Sequence, residues 1–307
     1  MREHDHANAA HDHDDTLPAA TDGPLEVAAV GEAEVALQQP GQARPAAVQG
    51  DIIRVPARHN ARLARVVRRV NRDRELHTLW ACANVNGMTR LGMSDHGAVH
   101  VQIVANVALR LLRALVEAGK VPDVVRHHGL TVDDAEVVVV VASLFHDIGM
   151  VISRPEHERY SLIVAAPKIK ELLDGIYDIE PRTILWSEIL HAILVHTEGY
   201  HPITWEAGIV RVADALDMTK GRSRIPYEAG AINIHSLSAA AIERVTITRG
   251  EAKPVRIDIA MNNSAGIFQV DELLRGKVME SGLEADLEIV ATIAEEAERK
   301  LLTVFRL

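Results

Sequence analysis

The chain has 307 residues, with 43 Asp and Glu against 33 Lys and Arg for a formal net charge of −10, 16 His and a single Cys. The length suffices for one or two domains with a sizeable core, while the lone Cys82, which has no nucleophile signature around it, excludes a disulfide scaffold and a thiolate zinc cluster and reads as a small core residue. The longest apolar run, Val137 to Ala142 continued by Leu144 and Phe145, is too short to cross a membrane and no apolar signal region opens the chain, so a cytoplasmic protein without a membrane partner is expected.

Residues 1–50 hold nine acidic side chains against Arg2 and Arg44, hence −7 of the total charge, together with His4, His6, His11 and His13 and no Phe, Tyr or Trp. Without an aromatic anchor this reads as a disordered acidic tail, whose histidines could hold a metal ion loosely. The remaining body is nearly neutral, which argues against a broad nucleic-acid platform. From Arg54 to Glu75 the sign reverses. Arg54, Arg58, Arg62, Arg65, Arg68, Arg69, Arg72 and Arg74 surround the stripe Leu63, Val66, Val67 and Val70, the pattern of an amphipathic basic helix. Such a helix can hold anions or dock the acidic tail, and it can also be only a solvated face.

Residues 76–225 carry a helical period throughout. Apolar positions at three- and four-residue steps mark a helix over 98–118. Thr131 and Asp134 form a capping box ahead of AEVVVVVASLF, so this β-branched run is expected as a buried helix reaching Gly149 rather than a strand. Pro155 opens the next helix and Pro167 restarts it after a break. Pro181 opens PRTILWSEILHAILVH, and TWEAGIVRVADALDM follows Gly199 and Pro202. After about residue 228 the period drops to two: AINIHS, ERVTITRG, VRIDIAMN and LEADLEIVATI read as strands, with SLSAAAIE and FQVDELLRGKVMESG helical between them. That order is the split βαβ, or ferredoxin-like, arrangement. The expected fold is therefore α+β: a tail at 1–50, an all-α domain at 51–228, and a small α/β domain at 229–307 that ends in a helix.

Several polar side chains interrupt the most apolar helices, where an unpaired imidazole or carboxylate is costly. His100 shares its stripe with Val104, Val107 and Leu111; His146 and Asp147 end the Val-rich helix; Asp214 lies in VRVADALDM. Each alone is most simply a satisfied core residue. Four such groups on apolar helices point instead to a shared metal site, of a donor type that suits Mn, Fe, Ni, Co, Zn or Mg.

The order of these residues, in HVQIVANVA at 100–108, LFHDIGM at 144–150 and VADALD at 212–217, resembles the HD superfamily of metal-dependent phosphohydrolases over about residues 95–225. The resemblance implies an all-α core in which His100, His146, Asp147 and Asp214 hold a divalent ion, one or two per chain, and a metal-activated water attacks a phosphoester of a small molecule, most readily a nucleotide. It also implies that further histidines hold a second ion or contact phosphate, and the candidates are His157, His191 and His196. On an ideal helix His191 and His196 stand about 140° apart, so both cannot face one centre, and His196 shares the inward stripe. A His-x-x-x-His pair like His96 and His100 occurs in cyclic-nucleotide phosphodiesterases of this superfamily, which makes His96, ahead of a helix capped by Asp95, a candidate general acid beside the catalytic Asp147. Arg90, Arg154, Lys220, Arg222 and Arg224 are candidate phosphate contacts, and Asp217 a candidate partner that orients a ligand His.

No GYP triplet follows the HD pair, as it would in a cyclic-di-GMP phosphodiesterase, and Ile148 and Gly149 stand where (p)ppGpp hydrolases carry Glu-Asp. A longer resemblance, from LWACANVNGMTRLGMSDHG to GIFQVDELL, links the chain to uncharacterised archaeal and bacterial HD proteins and names no substrate. A ligand-sensing module with a structural metal and a di-iron oxygenase are the competing expectations. The small domain would cap the site or mediate a homo-oligomer.

Overall fold

A computed structural model describes residues 25–26, 51–218 and 238–293. Its helices are α1 Ala61–Arg72, α2 Arg74–Asn84, α3 Ala98–Glu117, α4 Asp123–His128, α5 Val132–Phe145, α6 His157–Leu173, α7 Ile179–Leu194, α8 Trp205–Leu216 and α9 Arg275–Met279. Its strands are β1 Leu25–Glu26, β2 Ile242–Arg249, β3 Val255–Met261 and β4 Leu287–Ile293. The tail expected over 1–50 otherwise lies outside the described residues, as do the strand AINIHS, the loop that carries Lys220, Arg222 and Arg224, and the terminal helix.

Helices α3 and α5 form the centre of the core. Thirteen of the 20 residues of α3 are buried, and so are Val137 through Phe145 in α5. By length and composition α3 could cross a membrane, but it is the core helix here, two thirds buried inside the protein. Helix α5 starts at the expected capping box, in which Asp134 Oδ2 accepts from Thr131 N at 2.9 Å and from its hydroxyl at 2.7 Å. It ends at Phe145, four residues before the expected Gly149, and the chain tightens into a 3-10 turn at Ile148–Val151. The reason is Ser161 on α6: its hydroxyl donates to the His146 carbonyl at 2.7 Å and accepts from Gly149 N at 2.8 Å. A Cβ at Gly149 would lie 2.0 Å from the His157 carbonyl, so only glycine lets α6 approach this closely.

Three other expectations change. Pro167 does not restart a helix; it lies inside a continuous α6. Cys82 is exposed, because the buried face of α2 is Leu76, Trp80 and Ala83. The basic helix α1 is in part structural: Arg69 Nη1 donates to the carbonyls of Leu172 at 2.7 Å and Asp174 at 2.6 Å, Arg65 reaches the Gly175 carbonyl at 3.0 Å, and Arg62 pairs with Asp134 at 2.9 Å, while Arg68 and Arg72 remain an exposed face. Cations thus cover the electronegative C-terminal end of α6.

The C-terminal part bears out the α+β class. β2 and β3 form an antiparallel hairpin, and β1 adds two residues at its edge. β3 then pairs directly and in parallel with β4. This is an unsplit crossover, whereas a split βαβ keeps another strand between the two. The segment between β3 and β4, which includes α9, packs against α8 and brings the small sheet to the helical core.

Candidate metal centre

Five elements deliver side chains to one point. His100 comes from α3, His146 and Asp147 from the end of α5, His157 from the first residue of α6, His196 from the turn after α7, and Asp214 from α8. All are buried. Helix α7 ends at Leu194, so the ideal-helix spacing of His191 and His196 does not apply, and the turn carries His196 inward. His157 is placed by Glu156, the one non-glycine residue of positive φ (58°) among the described residues. Asp95 caps the start of α3 by accepting from Gly97 N and His100 N, both at 3.0 Å.

Asp147 is central, and its two oxygens face different histidines. Oδ2 lies 3.4 Å from Nε2 of both His100 and His146 and 3.9 Å from that of His96. Oδ1 lies 3.0 Å from Nε2 of His157 and 3.5 Å from that of His196. Asp214 Oδ1 stands 3.5 and 3.6 Å from Nε2 of His100 and His146. The imidazole rings run in an arc from His96 through His100, His146 and His196 to His157, with successive centroids 4.9 to 5.9 Å apart.

The outer ring nitrogens fix the tautomers. Nδ1 of His96, His146 and His196 faces the carbonyl of Ser94, Ser143 and Ile193 at 2.7, 2.8 and 2.7 Å, and Nδ1 of His100 faces Asp217 Oδ2 at 2.6 Å. An acceptor opposite Nδ1 requires the proton there, so Nε2 turns a lone pair to the centre. His157 differs: its Nδ1 faces a donor, Arg154 Nη1 at 2.8 Å, as well as two acceptors, the Arg154 carbonyl at 3.1 Å and Glu158 Oε2 at 3.2 Å. Nε2 of His100 and His146 are only 3.2 Å apart. Lone pairs so placed repel unless a proton or a metal ion lies between them.

The electrostatics say the same. Burial opposes a charge on His146, but Asp147 and Asp214 outweigh it and raise its pKa to about 10. Burial pushes the Asp147 carboxyl up, and His146, His100 and His157 more than reverse that and hold it well below the usual carboxylate range. At His196 burial dominates and lowers the pKa. The centre is thus built to hold positive charge against two carboxylates. Three overlapping groups, His100/His146/Asp147, His146/His196/Asp214 and Asp147/His157/His196, each bring three donor atoms within 4.8 Å of one another. Imidazole nitrogen and carboxylate oxygen suit a divalent transition ion or Mg, and each Nδ1 contact orients its ring as a ligand requires. A metal ion fits these residues.

The cluster floors a cavity of about 580 Å³. His96, Asp147, His157, His196, Asp214 and Arg154 line it among others. His191 stays outside: its Nε2 accepts from Ile203 N at 3.1 Å, and burial lowers its pKa. Arg90 is exposed and donates to Asn86 Oδ1 at 2.7 Å, away from the cavity wall. The cavity also has a wall that the sequence did not announce, made by Gln269, Leu273 and Lys277. Lys277 pairs with Asp214. FQVDELLRGKVMESG carries only an amphipathic helical period, and a lysine there reads as surface, so no local signal marks it.

A profile of the HD domain matches residues 97–219, a span that holds His100, His146, Asp147, His157, His196 and Asp214. The protein MJ1020 of Methanocaldococcus jannaschii, whose name calls it uncharacterised, is 38% identical over 225 residues, which cover 73% of this chain and 87% of the relative. No solved structure matches. The buried His and Asp cluster, the profile and the relative agree, and the chain belongs to the HD-domain family.

Proposed function

We propose that the protein is a metal-dependent phosphohydrolase that cleaves a phosphoester of a nucleotide or nucleotide-like small molecule. His100, His146, Asp147 and Asp214 would hold one divalent ion, and the second face of Asp147, with His157 and His196, would hold another. One observation carries this reading: imidazole Nε2 atoms and two carboxylates converge, buried, on the floor of a cavity of about 580 Å³. That volume is in the ordinary range for a small-molecule site. The engagement of Arg62 and Arg69 of α1 within the fold favours a small molecule over a nucleic acid.

When bound, the ion acidifies a water and neutralises charge on the phosphoryl oxygens. The side chains supply the rest. Asp147 orients the attacking water by accepting its hydrogen bond. Arg154, on the cavity wall beside His157, holds a phosphoryl oxygen. His96 also lines the cavity, and with Nδ1 held by the Ser94 carbonyl its Nε2 can carry the proton for the leaving oxygen.

The test is turnover of nucleoside monophosphates, cyclic nucleotides and a generic aryl phosphate with Mn, Ni, Co or Mg. At least one should be hydrolysed, with activity lost on chelation and restored by metal. Bound metal without turnover on any of them would favour a ligand-sensing module. Two irons per chain with oxygen uptake would favour an oxygenase.

A further inference from the structure

The wall that carries Lys277 is docked along one face of α8. Gly208, Arg211 and Asp214, three residues apart, meet Ser281, Glu280 and Lys277 in turn. At Gly208 a Cβ would lie 2.2 Å from the Ser281 carbonyl, so the absent side chain admits the segment. Arg211 is fully buried; its Nη1 donates to the carbonyls of Thr197 at 2.8 Å and Tyr200 at 2.7 Å, and its Nη2 pairs with Glu280. Asp214 ends the row and receives the Lys277 ammonium. The wall is thus registered against the helix that supplies a carboxylate to the cluster, and its one cation on the cavity lands at the cluster's edge.

We propose that Lys277 is a substrate-anchoring residue whose ammonium holds a phosphoryl oxygen once a divalent ion has taken the Asp214 carboxylate. This rests on the phosphohydrolase reading above. A carboxylate shared by a divalent ion and an ammonium brings two cations close, and they repel. The ammonium is a compact charge on a flexible four-carbon stem, so it can leave Asp214 without moving the backbone. Its side chain is only 17% exposed and lines the cavity, so a phosphate bound there comes within its reach. Lys277 beside Asp214 and Arg154 beside His157 then flank the cluster with two phosphate contacts.

The experiment compares Lys277→Met and Lys277→Arg with the wild-type full-length chain by calorimetry. Mn is titrated into metal-stripped protein, and inorganic phosphate is then titrated into the Mn-loaded protein. Binding at the cluster is counted as the part that Asp147→Ala removes. Lys277→Met should bind Mn as tightly as wild type or more tightly, since a competing cation is gone, and bind phosphate at least about tenfold more weakly. Lys277→Arg should keep most of the phosphate affinity. Phosphate binding by Lys277→Met equal to wild type overturns the inference. So does a parallel loss of Mn affinity or of the thermal unfolding midpoint, which would make Lys277 structural. Mn-loaded wild type that binds no phosphate overturns it too, and leaves the metal site standing. A wild-type chain that takes up no Mn at the cluster overturns the phosphohydrolase reading itself, and this inference with it.

Discussion

The floor and the wall of the cavity are built in different ways. The floor is imidazole and carboxylate delivered by α3, α5, α6, the turn after α7 and α8, with His146 and His196 fixed by carbonyls three residues away and His100 by Asp217 and the facing His146 ring. The wall is a short segment between two strands of the small sheet, held by one row of contacts on α8. The floor is preorganised by several elements at once, with local carbonyls at His146 and His196 and Asp217 at His100, and the wall is set by a single dock on α8. A change on the floor should therefore show first in metal affinity, and a change on the wall first in stability or substrate affinity.

The largest effect expected on stability is at the dock. Arg211→Met should cost roughly 2–4 kcal/mol, because Glu280 on the wall and the carbonyls of Thr197 and Tyr200 lose a charged donor. Equilibrium denaturation reads this directly. A variant as stable as wild type would mean that the dock does not hold the wall.

Next comes the orientation of the floor. Asp217→Asn weakens the hold on the His100 ring and should lower Mn affinity about 10- to 100-fold with little change in stability. The opposite pattern, lost stability with Mn affinity kept, would make Asp217 a packing residue.

The charge on His146 gives a pH dependence. Its pKa in the fold is about 10, above its ordinary value, so its proton stabilises the metal-stripped protein fully below about pH 6.5, and that contribution fades as pH rises toward 10. Metal must displace the same proton. Mn affinity should therefore rise with pH between 7 and 9, by up to about tenfold per unit, with proton release visible in buffers of different ionisation heat. A flat profile would show that His146 carries no proton in the stripped protein.

The smallest effect is expected at His191. Its contact with Ile203 N lies outside the cluster, so His191→Ala should leave metal affinity within a factor of two or so and change stability by about 1 kcal/mol. A large loss of metal would place it back on the floor.

The floor was legible in the sequence because a polar side chain inside an apolar helix demands a partner, and His100, His146 and Asp214 all break such stripes. The capping box at Thr131 resolved the Val run as a helix, and Asp217 was recognisable as a partner for a histidine. His191 and His196 were separable only in part, since the end of α7 at Leu194, not the helical period, turns His196 inward. The wall was not legible. Lys277 meets Asp214 across 63 residues, and nothing near either position encodes that meeting. The role of Arg69 on α1 was hidden for the same reason: its partners are carbonyls at the end of α6, about 100 residues away. The direct pairing of β3 with β4 is another long-range choice that alternation within each strand does not encode.

Asp147 faces both halves of the cluster, with Oδ2 toward His100 and His146 and Oδ1 toward His157 and His196. The direct measurement is the divalent metal content of the full chain, purified without an added histidine tag, in wild type and Asp147→Ala. His4, His6, His11 and His13 are common to both proteins, so any metal they hold cancels in the difference. Asp147→Ala should lose the cluster's one or two ions and, with them, any phosphohydrolase activity. Full metal occupancy in Asp147→Ala would contradict it.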